Sequence, residues 1–350
     1  MLRPSLNWLL VLVPVSIAGA IFGQDLLVFL TSVGAILPLA GLIGRSTDQL
    51  AIHTGPRIGG LLNATFGNVT ELIIAIFLIA DGEIDVVKAS LTGSIIGNLL
   101  LVLGGSFFLG GLRHKEQTFN KESASVHSTS LVLAVIGLLM PALFVLTSGT
   151  DRFIEREVVS GTVATVLIAV YGAALLFTLI THEHLFRTPS AGERAEWSVR
   201  RGVLILLAAT ALVAIESELL VGALEPALQD LGLSKLFVGL ILIPIVGNAA
   251  EHGSALLFAL RDKLDITLEI AIGSSTQIAL FVAPLLVFIS LAVGHPMNFV
   301  FTTFEIAAVG LSTLIVAFIS LDGRTNWLEG GRLVAAYLIM AISFFFVQSV

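Results

Sequence analysis

Two short motifs carry the residues of this sequence that are best suited to chemistry. GNVTEL begins at Gly67 and GNAAEH begins at Gly247, and each places an asparagine three residues before a glutamate. The four side chains are Asn68, Glu71, Asn248 and Glu251. Residues three apart share one face of a helix, so each motif presents an amide beside a carboxylate. These oxygen donors suit Ca²⁺, Mn²⁺, Mg²⁺ or Na⁺, and two carboxylates favour a divalent cation.

The motifs belong to an internal duplication. They stand 180 residues apart, and at that same offset Gly59 corresponds to Gly239, with no gap. Gly93-Ser94 corresponds to Gly273-Ser274 in the same way. We therefore expect the two halves of the chain to share one architecture.

Composition places the chain in a membrane. Hydrophobic residues make up 56% of the 350 residues and charged residues only 12%, whereas about 25% of the residues of soluble domains are charged. The absence of cysteine excludes disulfides and thiolate chemistry. The intramembrane polar residues form no set of nucleophile, base and orienting group, so we predict neither an enzyme nor a cofactor.

Apolar segments near the length of about 20 residues that crosses a bilayer predict an all-α integral membrane protein with eleven transmembrane helices. They begin near Trp8, Asp25, Arg57, Val86, Ser128, Val158, Val199, Lys235, Ile266, Phe299 and Arg332. We assign a first helix to residues 1–24, five-helix repeats to 25–181 and 199–350, and a cytoplasmic connection to 182–198. The first span has a second interpretation, a cleaved signal, because Ala18-Gly19-Ala20 follows an apolar stretch.

Five spans separate the two motif helices, and this odd number gives the repeats inverted topology. The predicted helix starts place Glu71 and Glu251 about 20–25 Å along their helices, near or past mid-depth. Antiparallel copies can therefore present both acids to one pocket. Gly67 and Gly247 remove side chains where these helices would cross closely.

Lysine and arginine are distributed unequally between the two sides of this arrangement. Of the 18 in the chain, only four fall on one side, namely Lys88, Arg152, Arg156 and Lys235. The positive-inside rule then puts the N-terminus in the cytoplasm and the C-terminus outside. The three tryptophans, Trp8, Trp197 and Trp327, lie beside span ends on the inner side, and we interpret them as interfacial anchors.

The spans after each motif add polar side chains at helical spacing, Ser94 with Asn98 and Ser274 with Gln277. We expect them to support the site, although serines also serve helix packing. Further candidates for a proton or cation pathway are His252, Glu216, Glu218 and Glu305. For His252 a structural role remains the alternative, and for the three acids simple solvation or a structural role does.

A buried carboxylate links cation binding to proton binding. When the cation leaves, an anionic glutamate is costly inside a membrane and takes up a proton. We therefore expect Ca²⁺ and protons to compete for Glu71 and Glu251 while the site is exposed alternately to either side. Hydrogen bonding between helices is the structural alternative for one such residue, and the duplication argues against it for the pair.

Four longer segments resemble the cation/proton exchangers of the CAX type, within the calcium/cation antiporter superfamily. GGLLNATFGNVTELI at Gly59–Ile73 is similar to the first signature of that family, and GLILIPIVGNAAEH at Gly239–His252 is similar to the second. GSSTQIALFVAP at Gly273–Pro284 and THEHLF at Thr181–Phe186 are similar to further segments. The resemblance covers essentially all of the chain after the first span.

The resemblance implies Ca²⁺ extrusion driven by proton entry, with the ion held by the two motif glutamates and helped by the two asparagines. The sequence departs from the family at Asp48, where we expect glutamate, and in the connection between the halves, where few acids make a regulatory acidic segment doubtful. The expected partners are Ca²⁺, H⁺ and the lipid bilayer, without nucleic acid. The oligomeric state stays open, with a homo-oligomer as one option, and the compact length favours a prokaryotic plasma membrane.

Three rival functions remain. A sodium/calcium exchanger of the same superfamily would share the inverted architecture, although the two motifs argue against it. A cation channel usually repeats pore elements around an oligomer axis, whereas an internal inverted repeat suits alternating access. A structural membrane scaffold would need no ion site.

Overall fold

The first half of the chain is built from long apolar helices. The computed structural model describes residues 6–148, 153–182 and 195–346. Its first elements are α1 (Leu6–Ile21, starting with a 3-10 turn), α2 (Asp25–Thr54), α3 (Pro56–Phe66), α4 (Val69–Ala80), α5 (Ile84–His114), β1 (Glu116–Thr118), α6 (Lys121–Ser148) and α7 (Phe153–Thr181).

The second half continues the same pattern. Its elements are α8 (Val199–Gly222), α9 (Leu224–Leu231), α10 (Lys235–Gly247), α11 (Ala249–Leu260), α12 (Leu264–Val293), α13 (Thr303–Ile319), β2 (Arg324–Asn326) and α14 (Trp327–Phe346). Short π-helical segments interrupt α5 at Gly97–Val102, α12 at Ile278–Val282 and α10 at Val238–Leu242. Such segments widen the helix by one residue and often occur at functional sites.

Helix bounds repeat at the offset of the sequence duplication. Val69–Ala80 and Ala249–Leu260 have the same limits displaced by 180 residues, and the next helices begin at Ile84 and Leu264. The backbone breaks before α4 and α11 at Asn68 (φ −102°, ψ 19°) and Asn248 (φ −100°, ψ 8°). This region of backbone space is sparsely populated and common at functional sites. The duplication therefore extends from side chains to local backbone conformation.

The first helices of the two predicted repeats, α2 and α8, run antiparallel. Near one end, a Cβ added at Gly202 of α8 would lie 3.1 Å from Leu50 of α2. Near the other end, Glu216 of α8 lies beside Ser32 of α2. Their interface is an apolar cluster formed by Leu39, Ile43, Leu50, Leu206, Ala209 and Val213.

Within the described residues, eight helical segments are long and apolar enough to cross a membrane, and α9 with α10, bent by 110°, makes up to nine. The eight are α2, α3 with α4, α5, α6, α7, α8, α12 and α14. The apolar helices α1 and α13 are shorter. The structure therefore shows a mostly helical membrane protein, and the number of eleven spans stays a prediction.

Several helices begin earlier or later than the hydrophobic pattern predicts. The helices with expected starts near Ser128 and Val158 begin at Lys121 and Phe153, because charged residues in their first two turns interrupt the apolar pattern. The helix expected near Phe299 begins at Thr303, where Thr302 and Glu305 form a reciprocal capping box.

The two strands are an addition that the all-α prediction missed. Strands β1 and β2 pair antiparallel, with Glu116 opposite Asn326 and Thr118 opposite Arg324. Each strand has three residues, too few for an alternating pattern to stand out in the sequence. The pair ties the connection after α5 to the connection before α14.

Trp197 is buried, although the sequence predicts an interfacial anchor at each of the three tryptophans. Trp8 and Trp327 are 60% and 47% exposed, but Trp197 is only 7% exposed. Arg45 and Arg201 lie over its ring, 4.8 Å and 4.9 Å from the centroid. Cation–π contacts from two helices explain why this tryptophan is buried. Most of the predicted connection at 182–198, namely residues 183–194, lies outside the described residues.

Candidate ion-binding site

Both motif glutamates lie at helix starts. Glu71 is in the first turn of α4 and Glu251 is in the first turn of α11, each directly after the break at its asparagine. The N-terminal end of a helix carries partial positive charge and unpaired N–H groups, which favour a carboxylate there. The breaks therefore place two carboxylates on helix starts inside an otherwise apolar bundle.

The motifs contact each other reciprocally through their glycines. A Cβ added at Gly247 would lie 2.9 Å from Glu71 Cγ, and one added at Gly67 would lie 3.4 Å from Glu251 Oε1. Each glutamate thus packs against the glycine of the other motif. This exchange is the contact pattern that a local two-fold relation produces, and it brings both acids into one place.

The two asparagine amides donate to residues outside the glutamate pair, and the side chain of Asn248 also lies within reach of Glu71. Asn68 Nδ2 donates to Gln277 Oε1 at 2.6 Å. Asn248 Nδ2 donates to Ser94 Oγ at 3.3 Å and to Pro244 O at 3.1 Å. The oxygens of both amides have no hydrogen-bond partner among the described residues and are available to the site.

Four buried oxygen atoms in this place have no hydrogen-bond partner among the described residues. They are Glu71 Oε1, Glu71 Oε2, Asn68 Oδ1 and Asn248 Oδ1. Glu71 is 5% exposed and each asparagine 2%. Buried polar atoms are nearly always paired, so a cluster of unpaired acceptors needs an explanation. A hard cation that takes oxygen ligands fits the donor set, and a proton fits the glutamate.

The remaining predicted supporting residues surround this cluster. Ser274 Oγ donates to Glu251 Oε2 at 2.6 Å. His252 Nε2 lies 3.2 Å from Asn98 Oδ1, so Asn98 reaches the site through the histidine that follows Glu251. All of the residues predicted as ligands or support therefore lie in one region of the bundle. Among the described residues no group of three or more acidic or histidine side chains could hold a metal ion, so the oxygen atoms in this region come from two carboxylates together with amides and hydroxyls.

The three other candidate acids lie apart from this region. Glu216 is fully buried and bonded to Ser16. Glu218 is exposed. Glu305 is 3% exposed and its carboxylate accepts from Thr302, within the capping box. The structure does not bring these acids to the paired glutamates.

Two acids near the site were missed as candidates. Asp48 on α2 is exposed and close enough to Glu251 to interact electrostatically. Glu269 on α12 lies 3.0 Å from His127 Nε2, and its side chain is 58% exposed. Each is a charged residue within a long apolar helix, and this position could have marked it as a candidate. The sequence could not show which residues it lies close to, because that depends on tertiary packing.

These features define a class, the helical membrane transporters with an internal duplication and an acidic intramembrane site. The model of the sodium/calcium exchanger protein family matches residues 25–180 and 201–346. The chain belongs to this family.

Curated relatives are similar over nearly the whole chain. The Ca(2+)/H(+) antiporter of Aphanothece halophytica is 46% identical over 97% of this chain and 95% of that protein. The Ca(2+)/H(+) antiporter ChaA of Bacillus subtilis is 44% identical over 95% of this chain and 96% of that protein. Among solved structures, native YfkE is 41% identical with a TM-score of 0.87, covering 98% of this chain and 100% of that chain.

Proposed function

We propose that this protein is a secondary active antiporter that exchanges Ca²⁺ for H⁺ across the membrane. One observation carries the proposal: buried oxygens of Glu71, Asn68 and Asn248 have no hydrogen-bond partner among the described residues, where Glu71 and Glu251 each pack against the glycine of the other motif. The family, and relatives named Ca(2+)/H(+) antiporter along the whole chain, support it. No cofactor enters this mechanism, since Ca²⁺ and H⁺ are themselves the substrates.

Glu71 and Glu251 bind either Ca²⁺ or protons in this mechanism. Two carboxylates neutralise the charge of one divalent cation, and two protons neutralise the same carboxylates when the cation leaves. The amide oxygens of Asn68 and Asn248 complete the cation site, and Gln277 and Ser94 hold those amides in place. Mn²⁺ has similar ligand preferences and is a second candidate substrate.

Alternating access requires that the site face one side of the membrane at a time. We propose a first helix followed by two five-helix repeats of inverted topology, eleven spans in all, with the N-terminus in the cytoplasm. The antiparallel α2 and α8 and the reciprocal glycine contacts support this arrangement. His252, Glu218 and Glu305 are candidates for proton or cation passage along the way to the site. We also propose that the protein lies in a plasma membrane, because several of its relatives are bacterial.

The glutamate site separates this function from its rivals in one transport experiment. Radioactive Ca²⁺ uptake is measured in proteoliposomes under an imposed pH gradient, with wild type, Glu71→Gln and Glu251→Gln. Glu116→Gln serves as the matched control, because Glu116 is an exposed glutamate in β1, outside the two motif helices. We expect Ca²⁺ uptake by the wild type to depend on the pH gradient and not on Na⁺. Both site variants should lose this uptake, and the control variant should retain it.

Other outcomes would contradict the proposal. Uptake driven by Na⁺ would identify a sodium/calcium exchanger, and uptake without any gradient coupling would identify a channel. Full transport activity of both glutamine variants would show that the paired glutamates are not required for transport.

A further inference from the structure

Glu216 is a second buried acid that the paired-glutamate site does not use. It lies on α8 and is 0% exposed. The helices α1, α2, α4 and α9 pack against α8. Ser16 of α1 contacts the Glu216 carboxylate, and Ser32 of α2 lies beside it. Three helices thus meet at one carboxyl group.

The hydrogen atoms at this contact can be counted. Ser16 Oγ lies 2.8 Å from Glu216 Oε1 and also 2.8 Å from the backbone oxygen of Val13. A serine hydroxyl has one hydrogen, so it donates to only one of these two acceptors. With an ionised glutamate, one of the two short contacts would join two oxygens without a hydrogen between them. With a neutral glutamic acid, Glu216 donates to Ser16 and Ser16 donates to Val13, which satisfies both contacts.

The second carboxyl oxygen points to the same protonation state. Glu216 Oε2 and Ser32 Oγ are both buried, and Ser32 lies close to the carboxyl group but makes no hydrogen bond of standard geometry to it. An ionised carboxylate has two strongly accepting oxygens and is costly to bury without compensation. A neutral carboxyl group with one unpaired oxygen costs far less.

No cation of the packed helices is near enough to compensate an ionised Glu216. The titratable groups on the described helices that pack against α8 are Asp25, Arg45, Asp48, His53, Glu71, Glu225 and Asp230, and α1 carries none. Of these, Arg45 and His53 contact Trp197, as does Arg201 of α8 itself. Arg200, the other cation of α8, also lies in its first turn. Glu216 is 17 residues further along α8 than Val199, where that helix begins, about 25 Å away.

We propose that Glu216 is a proton-binding site separate from the paired glutamates, a neutral acid in this conformation that donates to Ser16 and so joins α1 to α2 and α8. Ser16 precedes residue 25, where the match to the family model starts, so this connection uses a helix outside the matched segments. Loss of the proton would leave an unpaired buried anion at the junction and loosen α1. A role of this proton in transport rests on the proposed function above, whereas the protonation state does not.

Infrared difference spectroscopy of the purified full-length protein at neutral pH tests the protonation state. Subtracting the spectrum of Glu216→Gln from that of wild type isolates the absorption of one carboxyl group. Glu218→Gln is the matched control, because Glu218 is exposed two residues later on the same helix. We expect Glu216→Gln to remove a protonated C=O band and Glu218→Gln to remove only ionised carboxylate bands. In Ser16→Ala the protonated band should shift to higher frequency, since its hydrogen-bond acceptor is gone.

Two outcomes would overturn the proposal. If Glu216→Gln removes carboxylate bands instead, Glu216 is ionised. If these carboxylate bands also shift when Na⁺ is added, the group binds a monovalent cation and not a proton. Neither outcome bears on Ca²⁺ uptake by the paired glutamates, so the two proposals fail independently.

Discussion

At the scale of single residues, the orientation of two amide groups decides what the paired-glutamate site can bind. Gln277 and Ser94 accept from the amide nitrogens of Asn68 and Asn248. The amide oxygens therefore remain unpaired beside Glu71. An amide oxygen can accept a cation, whereas an amide N–H group cannot. In the proposed site, Gln277 and Ser94 thus favour cation binding by holding the two amides and not by contacting the cation.

Gly247 is predicted to support Ca²⁺ binding, because its missing side chain makes room for Glu71. In Gly247→Ala the new Cβ would lie 2.9 Å from Glu71 Cγ, and overpacking of this kind costs about 1–3 kcal/mol. We expect Ca²⁺ binding to weaken about tenfold or more, measured by calorimetric titration in detergent. Gly105→Ala is the control, since nothing lies within 4 Å of a Cβ added there. Equal affinity in the two variants would contradict the packing explanation.

Competition between protons and Ca²⁺ predicts a steep dependence of binding on pH. Protonation of Glu71 and Glu251 removes the charge that attracts the cation, so Ca²⁺ affinity must fall as the pH falls. Linkage gives about a tenfold change in affinity per pH unit for each proton displaced. We expect about a hundredfold per pH unit in wild type at pH values where both glutamates are protonated in the cation-free protein, and about tenfold per pH unit in Glu251→Gln. Affinity that does not change with pH would exclude competition at this site.

At the scale of elements, α2 holds the start of α8 through one face. Gln49 Oε1 accepts from the backbone N–H groups of Glu196 and Trp197, and His53 Nε2 lies 2.7 Å from Trp197 O. Arg45, one turn before Gln49, pairs with Glu196 at 2.7 Å and lies over the Trp197 ring. Three residues spaced four apart thus fix the end of the connection between the halves against the first long helix.

This contact predicts that Trp197 contributes to stability more than the other tryptophans. Trp197→Leu removes two cation–π contacts, each worth about 0.5–1 kcal/mol, together with part of the buried ring area. We expect a clearly lower unfolding temperature in detergent for Trp197→Leu. Trp8→Leu should have little effect, since Trp8 is 60% exposed. An equal decrease in unfolding temperature in both variants would contradict a specific contribution from the cation–π contacts of Trp197.

The features that the sequence predicted are those written in local or periodic patterns. Apolar length predicted membrane helices, and the 180-residue offset predicted that Asn68 and Asn248 would occupy equivalent positions. Features that arise from contacts between distant segments were missed, because no spacing encodes them. Examples are the hydrogen bond between Ser16 and Glu216, the burial of Trp197 and the pairing of β1 with β2.

At the scale of the whole molecule, the two halves meet so that one site is shared between them. Glu71 packs on Gly247 of the second half, and Glu251 packs on Gly67 of the first. A movement of one half against the other would therefore change the surroundings of both acids at once. This sharing suits a transporter, in which binding and exposure must be linked.

Inverted topology makes a prediction that one pair of equivalent positions can test. Asp81 directly follows α4 and Arg261 directly follows α11, at the 180-residue offset, and both are exposed. The chain has no cysteine, so Asp81→Cys and Arg261→Cys each give a single labelling site. With a membrane-impermeant maleimide added to intact cells, we expect labelling at position 81 and, only after permeabilisation, at position 261. Labelling of both from the same side would mean that the repeats are parallel, and the reverse pattern would keep the inverted repeat but place the N-terminus outside. Whether the two positions react from opposite sides tests the inverted relation between the halves. Which of the two reacts in intact cells tests the orientation of the protein in the membrane.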